Sequence, residues 1–476
     1  MFRRYDIMKI MKRMTLAISL SLGACLGLAG CSMAPAYMRP AAPVSDSWPN
    51  GPSYKTETDR TLGKPLAADT AWQDFYLDGA LQKVIALALE NNRDLRVAAF
   101  NIEKLQAQYR IQRAALFPEI DAAAVRNNME APNDQYSVGV GVSSYELDLF
   151  GRVQSLKDQA LDQYLATEQA RRTVQISLIA EVATTYLTLA ADRERLNLAQ
   201  ETLKTQQTTF ELMQRRFDAG ASSDLDLQQA QTQVDSAKVD VARYTTLAAQ
   251  DKNGLTLLAG AEVQEELLPK ALSETLPAVK EMTPGLPSGV LLHRPDVLQA
   301  EDLLKGYNAS IGVARAAFFP QITLVGAYGT ASGDLSGLFK SGTFGWTYSP
   351  QIVLPIFDAG KRSAQLKVAE TDRDIAVAQY EKTIQTAFRE VADALAQSGT
   401  IDGQLAAQKS LVAATGKRYA LSQARYEKGI ESYLTVLDAQ RSLYSAQLGL
   451  IDSRLTRLVN QVTLYKALGG GSKEKT

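Results

Sequence analysis

Histidine and cysteine are nearly absent from this chain of 476 residues: the only histidine is His293, and the two cysteines, Cys25 and Cys31, lie near the start. Zinc sites and histidine-based nucleophilic triads need several such side chains together. The patterns G-x-x-x-x-G-K-[ST] and G-x-S-x-G do not occur either. Asp148 and Asp358 follow predicted strands and are expected to cap helices. We therefore expect no enzyme, no metal site and no bound cofactor.

The chain also has little net charge: 51 Lys and Arg residues against 52 Asp and Glu residues give a formal charge of −1. The chain therefore has no general attraction to nucleic acid. Aromatic residues make up only 7%, which favours long, closely packed helices over a thick globular core. After the first 31 residues no run of eighteen apolar residues occurs, so no transmembrane helix is expected.

The one long apolar run lies at the start, between basic residues and Cys31. This order is typical of a secretion signal, here residues 1–30. Residues 28–31, Leu-Ala-Gly-Cys, look like the lipobox of bacterial lipoproteins, in which the cysteine is lipidated after cleavage and anchors the protein. In the sorting pattern that this resembles, Ser32 in place of an aspartate indicates the outer membrane. An ordinary cleaved signal with a chance cysteine is the alternative.

Two landmarks recur after roughly 200 residues. Ala-Ala-Leu-Phe-Pro at 114–118 returns as Ala-Ala-Phe-Phe-Pro at 316–320, and Arg-Phe-Asp-Ala-Gly at 216–220 returns as Arg-Tyr-Glu-Lys-Gly at 425–429. The chain is therefore predicted to be a tandem duplication. The predicted segments are the signal (1–30), an extended tether (31–70), a first repeat (71–261), a linker (262–292), a second repeat (293–471) and a tail (472–476).

Each repeat is predicted to contain a helix, a β-hairpin and two long helices. The first helix runs from about 81 to 116, the hairpins span 119–147 and 321–354, and the long helices span 152–219, 224–258, 358–428 and 432–468. Leu227, Ala230 and Val234 follow steps of three and four, which is coiled-coil spacing. Gly399 and Gly403 fall inside one long helix, where we expect a bend or short break.

The hairpin strands alternate apolar residues with small or polar ones. Phe344, Trp346 and Tyr348 share one face of the last strand, as in a transmembrane strand with an aromatic belt. On periodicity alone, soluble hairpins covering a core are an equal alternative. Four strands cannot close a barrel, and an unpaired edge in lipid is costly. We predict that three chains pool four strands each, because a twelve-stranded barrel leaves an open interior and an eight-stranded one does not.

Longer motifs resemble those of the outer membrane factors, and more narrowly the OprM-like, NodT-type efflux lipoproteins of the TolC superfamily. These motifs are Leu-Asp-Leu-Phe-Gly-Arg at 147–152, Leu-Pro-Ile-Phe-Asp-Ala-Gly at 354–360, Tyr-Leu-Thr-Val-Leu-Asp-Ala-Gln-Arg at 433–441 and Leu-Tyr-Lys-Ala-Leu-Gly-Gly-Gly at 464–471. The resemblance implies an α+β membrane protein, a homotrimer with a shared twelve-stranded outer-membrane β-barrel and a long α-helical barrel of coiled-coil hairpins in the periplasm of a Gram-negative bacterium.

The function that the resemblance implies is a passive, gated conduit for drugs or other toxic small molecules. Its partners would be a periplasmic membrane fusion (adaptor) protein and an inner-membrane pump, usually of the resistance-nodulation-division type. Metal-ion efflux or type I protein secretion through the same body is an alternative. A periplasmic scaffold lipoprotein with no conducting lumen is another.

The resemblance also assigns site residues. By position, Leu434 and Asp438 match an apolar and an acidic constriction ring at the periplasmic mouth, and Arg441 matches the polar network that holds the mouth shut. On a helix these three share a face apart from the apolar seam. An ordinary surface pair of Asp438 and Arg441 is the alternative. Gly220 and Gly429 match turns that dock the adaptor, although chain reversal with positive φ alone explains a glycine there.

Overall fold

The computed structural model describes residues 32–54, 67, 70–127, 135–272 and 290–471. The predicted signal, Cys31, most of the linker and the tail lie outside these residues. In chain order the elements are α1 (Trp72–Phe75), α2 (Gly79–Asn91), α3 (Arg93–Ala114), β1 (Ile120–Asn127), β2 (Gln135–Glu146), α4 (Arg152–Asp218), α5 (Asp224–Ala259), α6 (Pro295–Ala316), β3 (Gln321–Ser332), β4 (Phe344–Val353), α7 (Lys361–Glu427) and α8 (Tyr433–Ala467), with short 3-10 turns at Glu265–Leu267 and Leu335–Gly337.

Two compact units make up the chain, and both repeats contribute to each. The strand unit combines the residues up to Ala41 with Asn101–Glu168 and Gln299–Glu381. The helix unit combines Ala42–Phe100, Gln169–Leu298 and Lys382–Thr476.

The strand unit contains one antiparallel sheet in the order β1-β2-β3-β4. Successive side chains along each strand point to opposite faces of the sheet. Tyr328, Phe344 and Trp346 cluster on one face, with the Tyr328 ring centroid 4.6 Å from that of Trp346 and 6.3 Å from that of Phe344. Trp346 is 79% exposed in the single chain. Within the described residues, the outer edges of β1 and β4 have no strand partner.

The hairpins of the two repeats join along β2 and β3. Gly139 lies opposite Gly329 in this pairing. A Cβ added at Gly141 or Gly329 would overlap the backbone of the neighbouring strand. Close contact of the two backbones therefore requires glycine here.

The strand-to-helix junctions are capped by aspartates in both repeats. Asp148 Oδ2 accepts the backbone N–H of Gln154 at 2.7 Å. Asp358 Oδ2 accepts the backbone N–H of Arg362 at 3.1 Å. The expected capping roles are therefore confirmed, and the long helices α4 and α7 that follow have 67 residues each. An 18-residue window of α4 has a mean hydropathy of 1.4, and 67% of it is buried inside the chain, as in the core helix of a bundle.

The first helix of the first repeat is broken, and the single helix expected over 81–116 was wrong. Asn92 separates α2 from α3. Its Oδ1 accepts the backbone N–H of Leu95 at 3.0 Å, and its Nδ2 donates to the carbonyl of Leu258 at 2.9 Å. Asparagine satisfies the first turn of a new helix in this way, so the break is stabilised by α5.

Helix α7 continues through Gly399 and Gly403, and the break expected there was wrong. A Cβ at Gly399 would overlap the carbonyl oxygen of Ser53, whereas a Cβ at Gly403 would meet nothing within 4 Å. Nearby, Trp48 stacks on Phe388 with ring centroids 5.1 Å apart. The tether is therefore docked on α7, and Gly399 gives it space.

Replacing each of these glycines with alanine is expected to have opposite effects. Gly403→Ala should stabilise the protein by up to about 1 kcal/mol, because alanine favours the helix. Gly399→Ala should destabilise it by about 1–3 kcal/mol, because the added methyl group displaces the backbone at Ser53. Thermal unfolding of both variants measures the difference, and equal midpoints would contradict this account of Gly399.

A buried acidic pair lies in the helix unit, where α4 meets α5. The Asp192 side chain is buried and accepts a hydrogen bond from Arg195, which also contacts Asp452 at 2.5 Å. Oδ2 of Asp251 is buried, and no donor among the described residues reaches it. Burial, reinforced by the Asp192 carboxylate, raises the pKa of Asp251 from 3.8 to about 6. Asp251 therefore tends to bind a proton in the folded chain.

Lowering the pH from about 7 to about 5 is expected to stabilise the fold through Asp251. The folded-state pKa is raised, so this stabilisation is present at low pH and is lost as the pH rises through about 6. It should amount to about 1 kcal/mol after allowance for partial exposure. Thermal unfolding at both pH values measures it.

Asp251→Asn, which keeps its hydrogen at every pH, should reduce the pH difference in unfolding midpoint. The control Asp374→Asn, at a side chain 60% exposed, should keep the wild-type difference. Some dependence remains in both variants, because burial also raises the pKa of Asp162 to about 6. An unchanged pH dependence in Asp251→Asn would refute this assignment.

Candidate functional site

The first hairpin turn of the helix unit joins α4 to α5 through Gly220, whose φ is +70°. Its N–H donates to the carbonyl of Phe217 at 2.8 Å, and the N–H of Ala221 donates to that of Arg216 at 2.7 Å. These two bonds form a Schellman motif, which needs a left-handed residue at this position. Ser223 then starts α5 by accepting the N–H of Asp226 at 3.1 Å.

The second turn, between α7 and α8, repeats this geometry. Gly429 has φ of +69°. Its N–H donates to the carbonyl of Tyr426 at 2.9 Å, and the N–H of Ile430 donates to that of Arg425 at 2.9 Å. A Cβ added at Gly220 or Gly429 would meet nothing within 4 Å. Backbone conformation, and not close packing, therefore explains both glycines.

An apolar cluster packs the two hairpins together just behind these turns. It contains Met213, Leu227, Ala230, Tyr433, Val436 and Leu437. The ring centroids of Tyr426 and Tyr433 are 5.6 Å apart, and burial raises the pKa of Tyr433. The Arg216 guanidinium donates to the Tyr426 hydroxyl at 2.9 Å. The start of α8 is therefore held by both repeats.

Leu434, Asp438 and Arg441 lie on the side of α8 away from this cluster, and all three are exposed in the single chain. Leu434 is 58% exposed. Val436 and Ala439, on another face of α8, are buried, at 6% and 0%. The helix thus separates the proposed constriction residues from its packing face.

The polar members of this set bond to different helices. Arg418 of α7 donates from Nη2 to Asp438 Oδ2. Arg441 donates from Nε to Oε1 of Gln233 in α5 at 3.0 Å. Asp438 and Arg441 therefore contact two different helices, whereas the alternative interpretation paired them with each other. Arg418 was missed from the sequence, because only the packing of α7 on α8 identifies it as the partner.

The Arg418–Asp438 pair can be broken at little cost. The two side chains are 50% and 63% exposed. Solvent screens a pair of this kind, and the contribution to stability is a few tenths of a kcal/mol.

The other predicted site residues lie elsewhere. Phe344, Trp346 and Tyr348 lie on β4 in the strand unit, and all three are more than half exposed in the single chain. Cys31 falls outside the described residues, which begin at Ser32. The proposed constriction residues and the two turns therefore all lie within the helix unit.

Comparison with known proteins covers nearly the whole chain. Residues 84–261 and 286–470 match the family model described as outer membrane efflux protein. The chain is 48% identical over 460 residues to two proteins of Pseudomonas putida, the toluene efflux pump outer membrane protein TtgC and the antibiotic efflux pump outer membrane protein ArpC, with 94% of each chain covered.

A solved structure is also similar. The open state of the MtrE outer membrane channel of Neisseria gonorrhoeae gives a TM-score of 0.83 with 38% identity, over 93% of this chain and 99% of that chain. The similarity therefore includes both repeats, with their strands and their long helices.

Proposed function

Because the chain belongs to the outer membrane efflux protein family, we propose that it is the outer membrane channel of a tripartite system that exports toxic organic molecules. The observation that carries this proposal is the 48% identity, over nearly its full length, to channels named for toluene and antibiotic efflux. The chain acts as a passive conduit and not as an enzyme. An inner-membrane pump, of the resistance-nodulation-division type, and a periplasmic adaptor deliver the substrate.

Three chains close the barrel in this proposal. The open outer edges of β1 and β4 support it, because unpaired strand edges in hydrocarbon are costly. Joining three four-stranded sheets gives twelve strands and an open interior. The face that carries Phe344, Trp346 and Tyr348 then lies against lipid. The glycine-rich face lines the lumen.

Lipid on Cys31 attaches the protein to the outer membrane of a Gram-negative bacterium. The lipobox-like residues 28–31 support this attachment. The lipid group adds to the membrane attachment that the barrel itself provides. No other cofactor is proposed.

The gate lies at the start of α8. In a trimer, Leu434 contributes an apolar ring and Asp438 an acidic ring of three carboxylates. Arg418 and Arg441 hold the ring closed through α7 and α5, as their contacts within one chain support. The adaptor docks at the turns of Gly220 and Gly429. Exposed apolar residues beside the turns, Leu225 at 66% and Ile430 at 59%, support docking there.

Transport is tested in a strain that lacks its own outer membrane channel but produces an adaptor and pump of this type. Expression of the chain should restore resistance to organic solvents and antibiotics and should lower their accumulation in the cell. Resistance to metal salts alone, or restored secretion of a protein, would replace the proposed substrate class. No rescue of any kind, with the chain present in the outer membrane, would contradict the channel role.

Gate opening is tested by conductance in planar bilayers. Asp438→Ala should increase the current and weaken cation preference, because it removes the negative ring and releases Arg418. Thermal stability should change by only a few tenths of a kcal/mol. The matched control is Arg373→Ala, which breaks an exposed pair with Asp374 elsewhere on α7. Wild-type conductance in Asp438→Ala would refute the gate assignment, and the absence of conductance in every form would favour a scaffold.

A further inference from the structure

The chain that follows the proposed lipid anchor is docked in the strand unit. We call residues 32–41 the strap. Asn308 of α6 donates from Nδ2 to the carbonyl of Pro35 at 2.7 Å, and Arg315 donates from Nη1 to that of Met33 at 3.4 Å. Ala34 lies against Gly312, where an added Cβ would come within 2.8 Å of the Ala34 nitrogen. Helix α6 therefore provides a shaped seat for the strap.

A buried carboxylate fixes the other end of the strap. Glu301 is 3% exposed. Its Oε1 accepts from the Tyr37 hydroxyl at 3.1 Å and from Arg39 Nε at 2.8 Å, and its Oε2 accepts from Arg39 Nη2 at 2.6 Å. The buried ring of Tyr380 lies beside this group and interacts with Glu301. A carboxylate this deep is stable only while such partners satisfy it.

The seat exists only in the second repeat. Helices α3 and α6 both have 22 residues and match position for position. At the three docking positions, Glu301, Asn308 and Gly312, the first repeat has Ala99, Gln106 and Arg110. Only Leu95 is buried in α3, whereas much of α6 is buried. The docking residues therefore serve a segment that occurs once per chain, which is the strap.

Docking places the start of the mature chain beside the helix-to-strand junction. Arg315, which contacts Met33, lies in the last turn of α6, and β3 begins at Gln321. Cys31 is two residues before Met33 in the sequence, and two residues of chain span at most about 7 Å. Lipid attached to Cys31 would enter the membrane next to the junction from which β3 starts.

We propose that the strap is a clamp that holds the lipidated end of the chain at the helix-to-strand junction, with Glu301 as its positioning residue. The inference rests on the proposed lipidation of Cys31. The clamp keeps the attached lipid and the foot of the barrel at one level in the membrane. Without the clamp, the depth of the lipid in the membrane would not be tied to the depth of the barrel.

The test follows the motion of the strap in the full, lipidated protein. With Cys25 removed and the Cys31 sulfur bonded to the lipid group, the mature chain has no thiol, so Ala36→Cys at an exposed strap position takes a single nitroxide label. The label should show restricted motion in otherwise wild-type protein. Arg39→Met should shorten its rotational correlation time severalfold and lower the melting temperature of the assembly, because Glu301 stays buried without its bidentate partner.

The remaining variants test whether the buried charge of Glu301 depends on Arg39 as its partner. Glu301→Gln should also mobilise the label but should preserve assembly, because Arg39 is 45% exposed and can turn to solvent. The double variant Arg39→Met/Glu301→Gln should melt above Arg39→Met alone, since it removes the buried charge that Arg39→Met leaves with only the Tyr37 hydroxyl and Lys305 Nζ, which lies 3.9 Å from Glu301 Oε1. Arg373→Met, at a partly exposed arginine of the same unit that pairs with Asp374, should leave both readouts unchanged.

Two outcomes would overturn the clamp. One is a label that is already mobile in the parent protein, and the other is a label whose motion ignores both Arg39→Met and Glu301→Gln. The mass of the N-terminal peptide separates this failure from failure of the lipid proposal. A peptide without acyl groups would refute the lipid anchor. An acylated peptide together with a mobile strap would refute only the clamp.

Discussion

Backbone hydrogen bonding along the two edge strands of a four-stranded sheet is the constraint on which the rest of the molecule depends. Each strand in hydrocarbon must pair its N–H and C=O groups, since no water is available to satisfy them. Among the residues that the structure describes, the sheet pairs β2 and β3 internally and leaves one edge of β1 and one of β4 open. The single chain is therefore an incomplete structure, and its exposed aromatic residues and open edges have one common explanation in a closed barrel.

The two repeats share the elements that closure of the barrel needs, and they differ at the proposed gate. The two repeats share the capped junctions, the 67-residue helices and the Schellman turns with nearly equal φ at Gly220 and Gly429. The charged pair Arg418–Asp438 corresponds to Thr209 and Gln229 in the first repeat. In the proposed gate, a trimer would therefore present three carboxylates and not six, with less mutual repulsion among them.

The family, the fold and the channel function indicated by the motifs are confirmed. The helices, strands and coiled-coil hairpins could be predicted because their signals are local: proline ends a helix, alternation marks a strand, and spacing of three and four marks a coiled coil. The family and the channel function came from the resemblance of the longer motifs. What could not be predicted depends on distant contacts. The break at Asn92 is fixed by Leu258 of α5, and the partner of Asp438 depends on how α7 packs against α8. The gate residues themselves came from the resemblance, and their roles stay a prediction.

Glycine shows where prediction from the local sequence stops, because this one residue type occurs for different physical reasons at different positions. At Gly429 the backbone must be left-handed, and the flanking helix pattern reveals that need. At Gly399 the backbone is helical and a segment from the start of the chain occupies the space of a side chain. At Gly403, one helical turn later, neither need applies. Helix propensity ranks the last two alike, so only knowledge of what packs against α7 separates a required glycine from a tolerated one.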